Sequence, residues 1–151
     1  MTDLGLMRYF LGIQVKQSLG RIFLSQEKYI DDLLKKFNMY HCKPISTPMA
    51  LNEKLHIHDD GEKVDPSLYR KLIGSLHYLN TMPDITHSVS LLSRFINEPS
   101  KTCNVAAKRI LRYLKSTKNQ GTEFEKEENC KLVGYSSDWP GSIDDRKSTS
   151  G

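Results

Sequence analysis

The chain has 151 residues, of which 38% are hydrophobic, and its net charge at pH 7 is +4. This length supports one ordinary domain with a hydrophobic core and excludes a complete polymerase joined to a nuclease. No apolar run approaches membrane-spanning length, and the N-terminus lacks the basic-then-apolar pattern of a secretory signal. These features predict an intracellular protein, cytoplasmic or nuclear, that has no membrane partner.

The three cysteines, Cys42, Cys103 and Cys130, are odd in number and widely spaced. This spacing supports neither a zinc ribbon nor a disulfide framework, so we expect free thiols in a reducing compartment. His56 and His58 stand close together without a third ligand residue, and the sequence therefore predicts no metal site.

The first forty residues predict a β-hairpin followed by a helix. Residues 9–15 are rich in aromatic and β-branched side chains, residues 17–20 contain turn formers, and residues 21–24 are typical of a returning strand. Ser25 is a favourable N-cap for a helix over residues 26–38. The apolar face of that helix contains Tyr29, Ile30, Leu33, Leu34 and Phe37.

Three more helices are predicted after a connection of little periodicity over residues 42–66. They cover residues 66–80, 84–97 and 101–116. Their expected N-caps are Asp65, Asp84 and Ser100. Leu68, Leu72 and Ile73 are among the side chains that we expect to face the core. Strands are predicted over residues 122–125 and 131–135.

Several sequence blocks follow one another in a characteristic order. They are residues 1–15, 23–26, 42–48, 69–79, 83–85, 92–95 and 106–115, followed by residues 133–151 with the Asp138-Trp139 pair. This ordered set resembles the Pol polyprotein of Ty1/copia-type retrotransposons, in its reverse transcriptase and ribonuclease H region, over nearly the whole chain. The sequence departs from the family pattern at Met82, Cys103, Pro140 and Ser142, where Arg, His, Ala and Asp are usual.

The resemblance implies an α+β fold in three parts. Residues 1–50 correspond to the palm edge of a reverse transcriptase, residues 51–118 to thumb- or connection-like helices, and residues 119–151 to the first strands of an incomplete ribonuclease H sheet. The primer-gripping hairpin corresponds to Phe10, Leu11, Gly12 and Ile13. From the residues alone, however, aromatic side chains in a hairpin more often belong to the core than stack on a primer end.

The resemblance also implies catalytic silence. Both enzymes of the intact family use carboxylates that hold two metal ions, which are Mg²⁺. The chain has no Tyr-x-Asp-Asp sequence, and the first ribonuclease H carboxylate falls at Ser137, beside the nearest remnant, Asp138. We therefore predict a one-residue deletion there, no catalytic residue and no cofactor in this chain, with the partner carboxylates lying beyond Gly151.

The most basic part of the chain is residues 101–118, which contain six basic residues and no acidic one. A stripe along the predicted helix is formed by Lys101, Lys108, Arg112 and Lys115, with Arg109 beside it. Such a stripe can follow the phosphates of an RNA–DNA hybrid or duplex. It is equally typical of a solvated face whose last-turn cations complement the helix dipole. The resemblance favours nucleic-acid binding.

Three hypotheses for function follow. The first is a truncated, decayed copy of the polyprotein that is enzymatically inert and retains some nucleic-acid binding. The second is a non-enzymatic interaction protein that uses exposed apolar surface to bind a protein partner, whose identity the sequence does not give. The third is a fragment that complements a polymerase supplied in trans.

Overall fold

The protein is described by a computed structural model over residues 5–50, 55, 64–126 and 134, and these residues form an α+β fold. The helices are α1 (Glu27–Lys36), α2 (Pro66–His77), α3 (Thr86–Ser93) and α4 (Lys101–Thr117), and a 3-10 turn (Pro83–Ile85) precedes α3. The strands are β1 (Tyr9–Phe10), β2 (Ile13–Ser18), β3 (Arg21–Ser25) and β4 (Thr122–Glu125). The predicted α+β class is confirmed. Within the described ranges, no helix is long and apolar enough to cross a membrane.

The hydrophobic core lies between the four helices. Each helix carries apolar residues three or four positions apart, so that one face is buried against its neighbours. The largest fully buried side chains include Ile30, Leu34, Tyr69, Ile73, Leu76, Leu92, Ile110, Leu111 and Leu114. Burying a side chain of this size stabilises the fold by about 1.5–3 kcal/mol. Helix packing is therefore the main source of stability in the described part of the chain.

The buried face of α2 is rotated from the predicted one. Leu68 was expected to face the core but is 51% exposed, whereas Tyr69 is fully buried. The hydroxyl of Tyr69 donates to the carbonyl oxygen of Leu92 at 3.0 Å, which satisfies its polar atom inside the core. Burial raises the pKa of Tyr69, so the hydroxyl keeps its proton.

Two of the four expected N-caps are present. At the start of α2 the Asp65 carboxylate accepts from the backbone N–H of Ser67 at 2.8 Å, and at the start of α4 the Ser100 hydroxyl accepts from that of Cys103 at 3.3 Å. The other two predicted N-caps, Ser25 and Asp84, do not cap their helices. Gln26 is the N-cap of α1, because Ser25 still belongs to β3. Asp84 lies within the 3-10 turn, where its carboxylate accepts from the Tyr113 hydroxyl.

The sheet is antiparallel, and its strands lie in the order β1-β2-β3-β4. Phe10 pairs with Ile13, so Leu11 and Gly12 form a two-residue turn in which both φ angles are positive. The sequence predicted one uninterrupted strand over residues 9–15. It did not reveal this turn because Leu11-Gly12 continues an apolar run and lacks the Asn or Asp that usually marks such turns.

Strand β4 pairs with β3 and so extends the N-terminal sheet. The sequence placed this strand in the opening hairpin of a separate, ribonuclease H-like sheet. Its expected partner over residues 131–135 lies outside the described residues except for position 134. In the described part of the chain, residues 122–125 therefore belong to the same sheet as the first hairpin.

The side chain of Gln26 joins the sheet to the helices. It is 1% exposed, and its amide donates to the carbonyl oxygen of Tyr78 at 3.2 Å. Its oxygen accepts from the backbone N–H and the hydroxyl of Thr81, each at 3.2 Å. The carbonyl oxygen of Thr81 accepts in turn from the Thr122 hydroxyl at 3.2 Å, which connects β4 to the same junction.

The apolar face of the sheet lies outside the core. Strand pairing places Phe10, Ile13, Val15, Ile22, Leu24 and Phe124 on this face. None of these six side chains belongs to the buried helical cluster, and Phe10 and Phe124 are each 54% exposed. A row of exposed apolar side chains on one sheet face is typical of a contact surface.

Candidate nucleic-acid interface

Helix α4 carries the predicted basic stripe on the face opposite to its buried one. Ala107, Ile110, Leu111 and Leu114 point into the core. The cationic side chains therefore lie at the surface, where Lys101 and Lys108 are exposed and Arg109, Arg112 and Lys115 are half-buried. The structure thus brings all five predicted nucleic-acid-binding residues together along one helix.

A segment that we call the strap, residues 40–47, lies along this basic face. Helix α1 leads into it through a left-handed Asn38 (φ 56°), after which Met39 N–H bonds back to the Leu34 carbonyl at 2.7 Å. The prolines at positions 44 and 48 keep the neighbouring backbone extended. An extended segment exposes carbonyl oxygens that need donors.

Three of the five basic side chains donate hydrogen bonds to the strap, two of them to its carbonyl oxygens. Lys115 Nζ donates to the carbonyl oxygens of Tyr40 and Cys42, each at 2.8 Å. Arg112 Nε donates to the Lys43 carbonyl at 2.8 Å, and Arg109 Nη2 donates to the Thr47 hydroxyl at 2.8 Å. These side chains therefore bind the strap in the free protein, a role that the sequence did not indicate.

Backbone polar groups and a hydroxyl complete the contact. The Ile45 N–H donates to the Arg112 carbonyl at 3.3 Å. The single O–H of Ser116 lies 2.8 Å from the Ile45 carbonyl and 2.7 Å from the Tyr113 carbonyl of its own helix, so the two oxygens share one proton. Ser116 is thus a neutral anchor of the strap within the basic face. Its partner lies far away in the sequence, so helical periodicity gives no signal for it.

Hydrogen bonds to the strap do not cancel the positive charge of the stripe. Their acceptors are neutral oxygens, and a guanidinium has five N–H donors. The Nε of Arg109 is buried and has no hydrogen-bond partner, so the donors that Arg109 can offer to a ligand are those of its terminal nitrogens. Lys43 on the strap is exposed and adds a further cation beside Arg112. The strap and α4 together form a positively charged surface.

Lys118, just beyond the stripe, is paired with carboxylates of α1. Its Nζ lies 3.3 Å from an Asp31 oxygen and 3.8 Å from a Glu27 oxygen. The hydrogen bond to Asp31 and the charge of that carboxylate raise the pKa of Lys118, which keeps it protonated. This ion pair links α1 to the end of α4, and it leaves Lys118 outside the cationic surface.

The predicted primer-grip-like residues form the tip of the first hairpin. Phe10 ends β1, Leu11 and Gly12 make the turn, and Ile13 begins β2. Tyr9 and Phe10 are each 54% exposed and Leu11 is 70% exposed, so these side chains are at the surface and not in the core. An exposed aromatic pair beside a tight turn can stack on bases or contact sugars.

In the described ranges, no three His, Cys, Asp or Glu side chains cluster as a metal site. Asp138, Ser137 and the pair His56 and His58 lie outside the described residues. Catalytic silence therefore remains a prediction from the sequence.

The architecture, with a hairpin edge followed by packed helices of which the last is basic, agrees with a reverse transcriptase-related protein. A family model described as reverse transcriptase (RNA-dependent DNA polymerase) matches residues 1–51. No solved structure matches the chain.

Relatives extend the match beyond residue 51. The retrovirus-related Pol polyprotein from transposon RE1 of Arabidopsis thaliana is 44% identical over 147 residues, which is 96% of the chain and 10% of that protein. The corresponding polyprotein from transposon TNT 1-94 of Nicotiana tabacum is 38% identical over 100% of the chain and 12% of its own length. An uncharacterized mitochondrial protein of Arabidopsis thaliana is 38% identical, with 63% of its length covered.

These matches confirm the family that the sequence blocks predicted. The chain is similar over nearly its whole length to Pol polyproteins of copia-type retrotransposons, and its residues 1–51 match the reverse transcriptase family model. It spans about a tenth of the length of the Pol polyproteins that it matches.

Proposed function

We propose that this chain binds the sugar–phosphate backbone of RNA–DNA hybrids and nucleic-acid duplexes, without sequence preference and without catalysing phosphoryl transfer. The observation that carries this proposal is the cationic surface of α4 and the strap, whose charge is not cancelled by its hydrogen bonds to neutral oxygens. Arg and Lys contacts to phosphate release counterions, so such a surface binds strongly at low salt. The family supports the same ligand.

Salt dependence tests this proposal. The double variant Lys101→Gln, Lys108→Gln removes two exposed cations of the stripe. We expect the slope of log affinity against log salt to lose about two units in magnitude, because each phosphate contact contributes about one. Fluorescence anisotropy with a labelled RNA–DNA hybrid between about 50 and 200 mM salt measures the slope.

The matched control is Lys28→Gln, Lys71→Gln, which removes the same charge from exposed positions on α1 and α2. This variant should keep the slope of the wild type. An equal loss of slope in both double variants would show that only net charge matters and would refute an interface on α4.

The proposed catalytic silence has its own test. Two-metal hydrolysis or polymerisation needs several carboxylates that hold the ions about 3.5–4 Å apart. The chain lacks a Tyr-x-Asp-Asp sequence, and Ser137 stands where the family has its first ribonuclease H carboxylate, beside the remnant Asp138. Purified protein with Mg²⁺ or Mn²⁺ is expected neither to extend a primer nor to cut the RNA of a hybrid. Cleavage that survives stringent purification and is lost in Asp138→Asn would overturn this part of the proposal.

The apolar sheet face favours a second candidate, an interaction module that docks a protein. Its members Phe10, Ile22 and Phe124 are between 43% and 54% exposed. Large exposed apolar patches commonly form protein contacts. The hybrid titration separates the two candidates, since an interaction module without nucleic-acid function binds no hybrid at low salt.

A further inference from the structure

The turn at the hairpin tip has a backbone conformation that its sequence does not favour. Leu11 has a φ of 45° and Gly12 a φ of 82°. The left-handed region is accessible to glycine but is strained for a branched residue such as leucine. Leu11 is 70% exposed, so burial of its own side chain does not hold it there. A strained residue persists where its surroundings determine its geometry.

Tyr78, just after α2, contacts both residues of the turn and holds them in this conformation. Its hydroxyl donates to the carbonyl oxygen of Leu11 at 2.5 Å, across 67 residues of sequence. Its ring lies directly against Gly12, where an added Cβ would be 3.2 Å from the Tyr78 oxygen and 3.3 Å from Cε1. The hydrogen bond holds the strained residue, the positive φ of Gly12 favours glycine there, and the close contact leaves little room for a side chain beside the Tyr78 ring.

Tyr78 is itself fixed to the helices. Its ring packs against that of Tyr29 with centroids 5.0 Å apart, and its carbonyl oxygen accepts from the buried Gln26 amide at 3.2 Å. The turn is therefore tied through Tyr78 to α1 and α2, and not only to the neighbouring strand.

We propose that Tyr78 is a positioning residue, which holds the Leu11-Gly12 turn rigid so that Phe10 and Leu11 present a fixed apolar edge to the bases or sugars at a duplex end. This inference rests on the proposed function, because the ligand is the same nucleic acid. Flat aromatic side chains bind bases by stacking without sequence preference. A preorganised edge loses less entropy on binding than a mobile one.

Tyr78→Phe tests the hydrogen bond while keeping the ring. In the free protein we expect the NMR order parameter of the Gly12 amide to fall from about 0.85 to below about 0.6, the difference between a rigid and a flexible backbone. Tyr29→Phe is the matched control, since it removes a hydroxyl from the same ring pair that does not touch the hairpin. Unchanged Gly12 order in Tyr78→Phe, or an equal loss in Tyr29→Phe, would overturn the inference.

A pair of glycine variants tests the close contact. Gly12→Ala and Gly20→Ala both strain a positive φ, of 82° and 78°, but a Cβ at Gly20 meets nothing within 4 Å. Only Gly12→Ala should shift the NMR signals of the Tyr78 ring. If the Tyr78 signals stay unshifted in Gly12→Ala, the turn does not rest on this ring and the proposed lock is wrong.

Hybrid binding separates this inference from the proposed function. Tyr78→Phe changes no charge, so it should weaken hybrid binding by about three- to tenfold, as expected for one lost hydrogen bond, with the salt slope unchanged. A changed slope, or unchanged affinity despite a mobile turn, would refute the role in binding. No binding by the wild type would refute the proposed function, and the NMR comparison would still decide whether Tyr78 fixes the turn.

Discussion

Replacing Gln26 with methionine is expected to lower the free energy of unfolding by about 2–4 kcal/mol. Methionine keeps nearly the same volume, so no cavity opens and the effect comes from polar groups. The N–H and hydroxyl of Thr81 lose their shared acceptor, and the Tyr78 carbonyl loses one donor. A buried donor without a partner costs about 1–3 kcal/mol. Urea denaturation followed by circular dichroism measures the change.

Gln17→Met is the matched control, because Gln17 lies on β2 and is exposed. It should change the free energy of unfolding by no more than about 0.5 kcal/mol. Thr81→Val removes one partner of Gln26, so its effect and that of Gln26→Met should not add. Strict additivity, or a loss below about 1 kcal/mol in Gln26→Met, would show that this junction does not hold the sheet to the helices.

The sequence predicted those parts of the fold that depend on neighbours along the chain. Apolar spacing was sufficient to locate the four helices, and Asp65 and Ser100 cap theirs as expected. The misplaced face of α2 shows where spacing along the chain stops being sufficient. Helical spacing alone allows either Leu68 or Tyr69 to face the core, and packing against α3 selected Tyr69, whose hydroxyl reaches Leu92.

Contacts between distant parts of the chain could not be predicted. The strap was assigned only as a connection without periodicity, yet it binds α4 through residues 62 to 75 positions away. Its prolines gave an indirect signal, since an extended segment needs external donors and the basic helix offers them. Tyr78 gave no such signal, because its partner Leu11 is in a turn that the sequence did not reveal. The candidate interface was thus predicted as a helix stripe, and its covering segment was not.

Side chains of the basic stripe bind the strap and, in the proposed function, also bind phosphate. The variant Arg112→Gln tests both roles of one such side chain. In the free protein we expect the Ile45 amide to exchange its hydrogen about 10- to 100-fold faster, because a charged hydrogen bond contributes about 1.5–3 kcal/mol and its loss favours local opening. Hydrogen exchange followed by NMR measures this. Arg112 has further N–H donors for phosphate, so the salt slope for hybrid binding should also lose about one unit.

Ser116→Ala separates the two roles of the stripe. It removes a neutral contact to the same strap, in which one O–H is shared between the Ile45 carbonyl at 2.8 Å and the Tyr113 carbonyl at 2.7 Å, and it changes no charge. Exchange at Ile45 should rise by about two- to tenfold, as expected for an ordinary hydrogen bond, while the salt slope stays at the wild-type value. If Arg112→Gln speeds exchange and leaves the slope unchanged, Arg112 binds only the strap, and the phosphate contacts must be sought among Lys101, Lys108 and the exposed Lys43. If Ser116→Ala alone lowers the slope, an ordered strap and not the charge of α4 is what the nucleic acid requires.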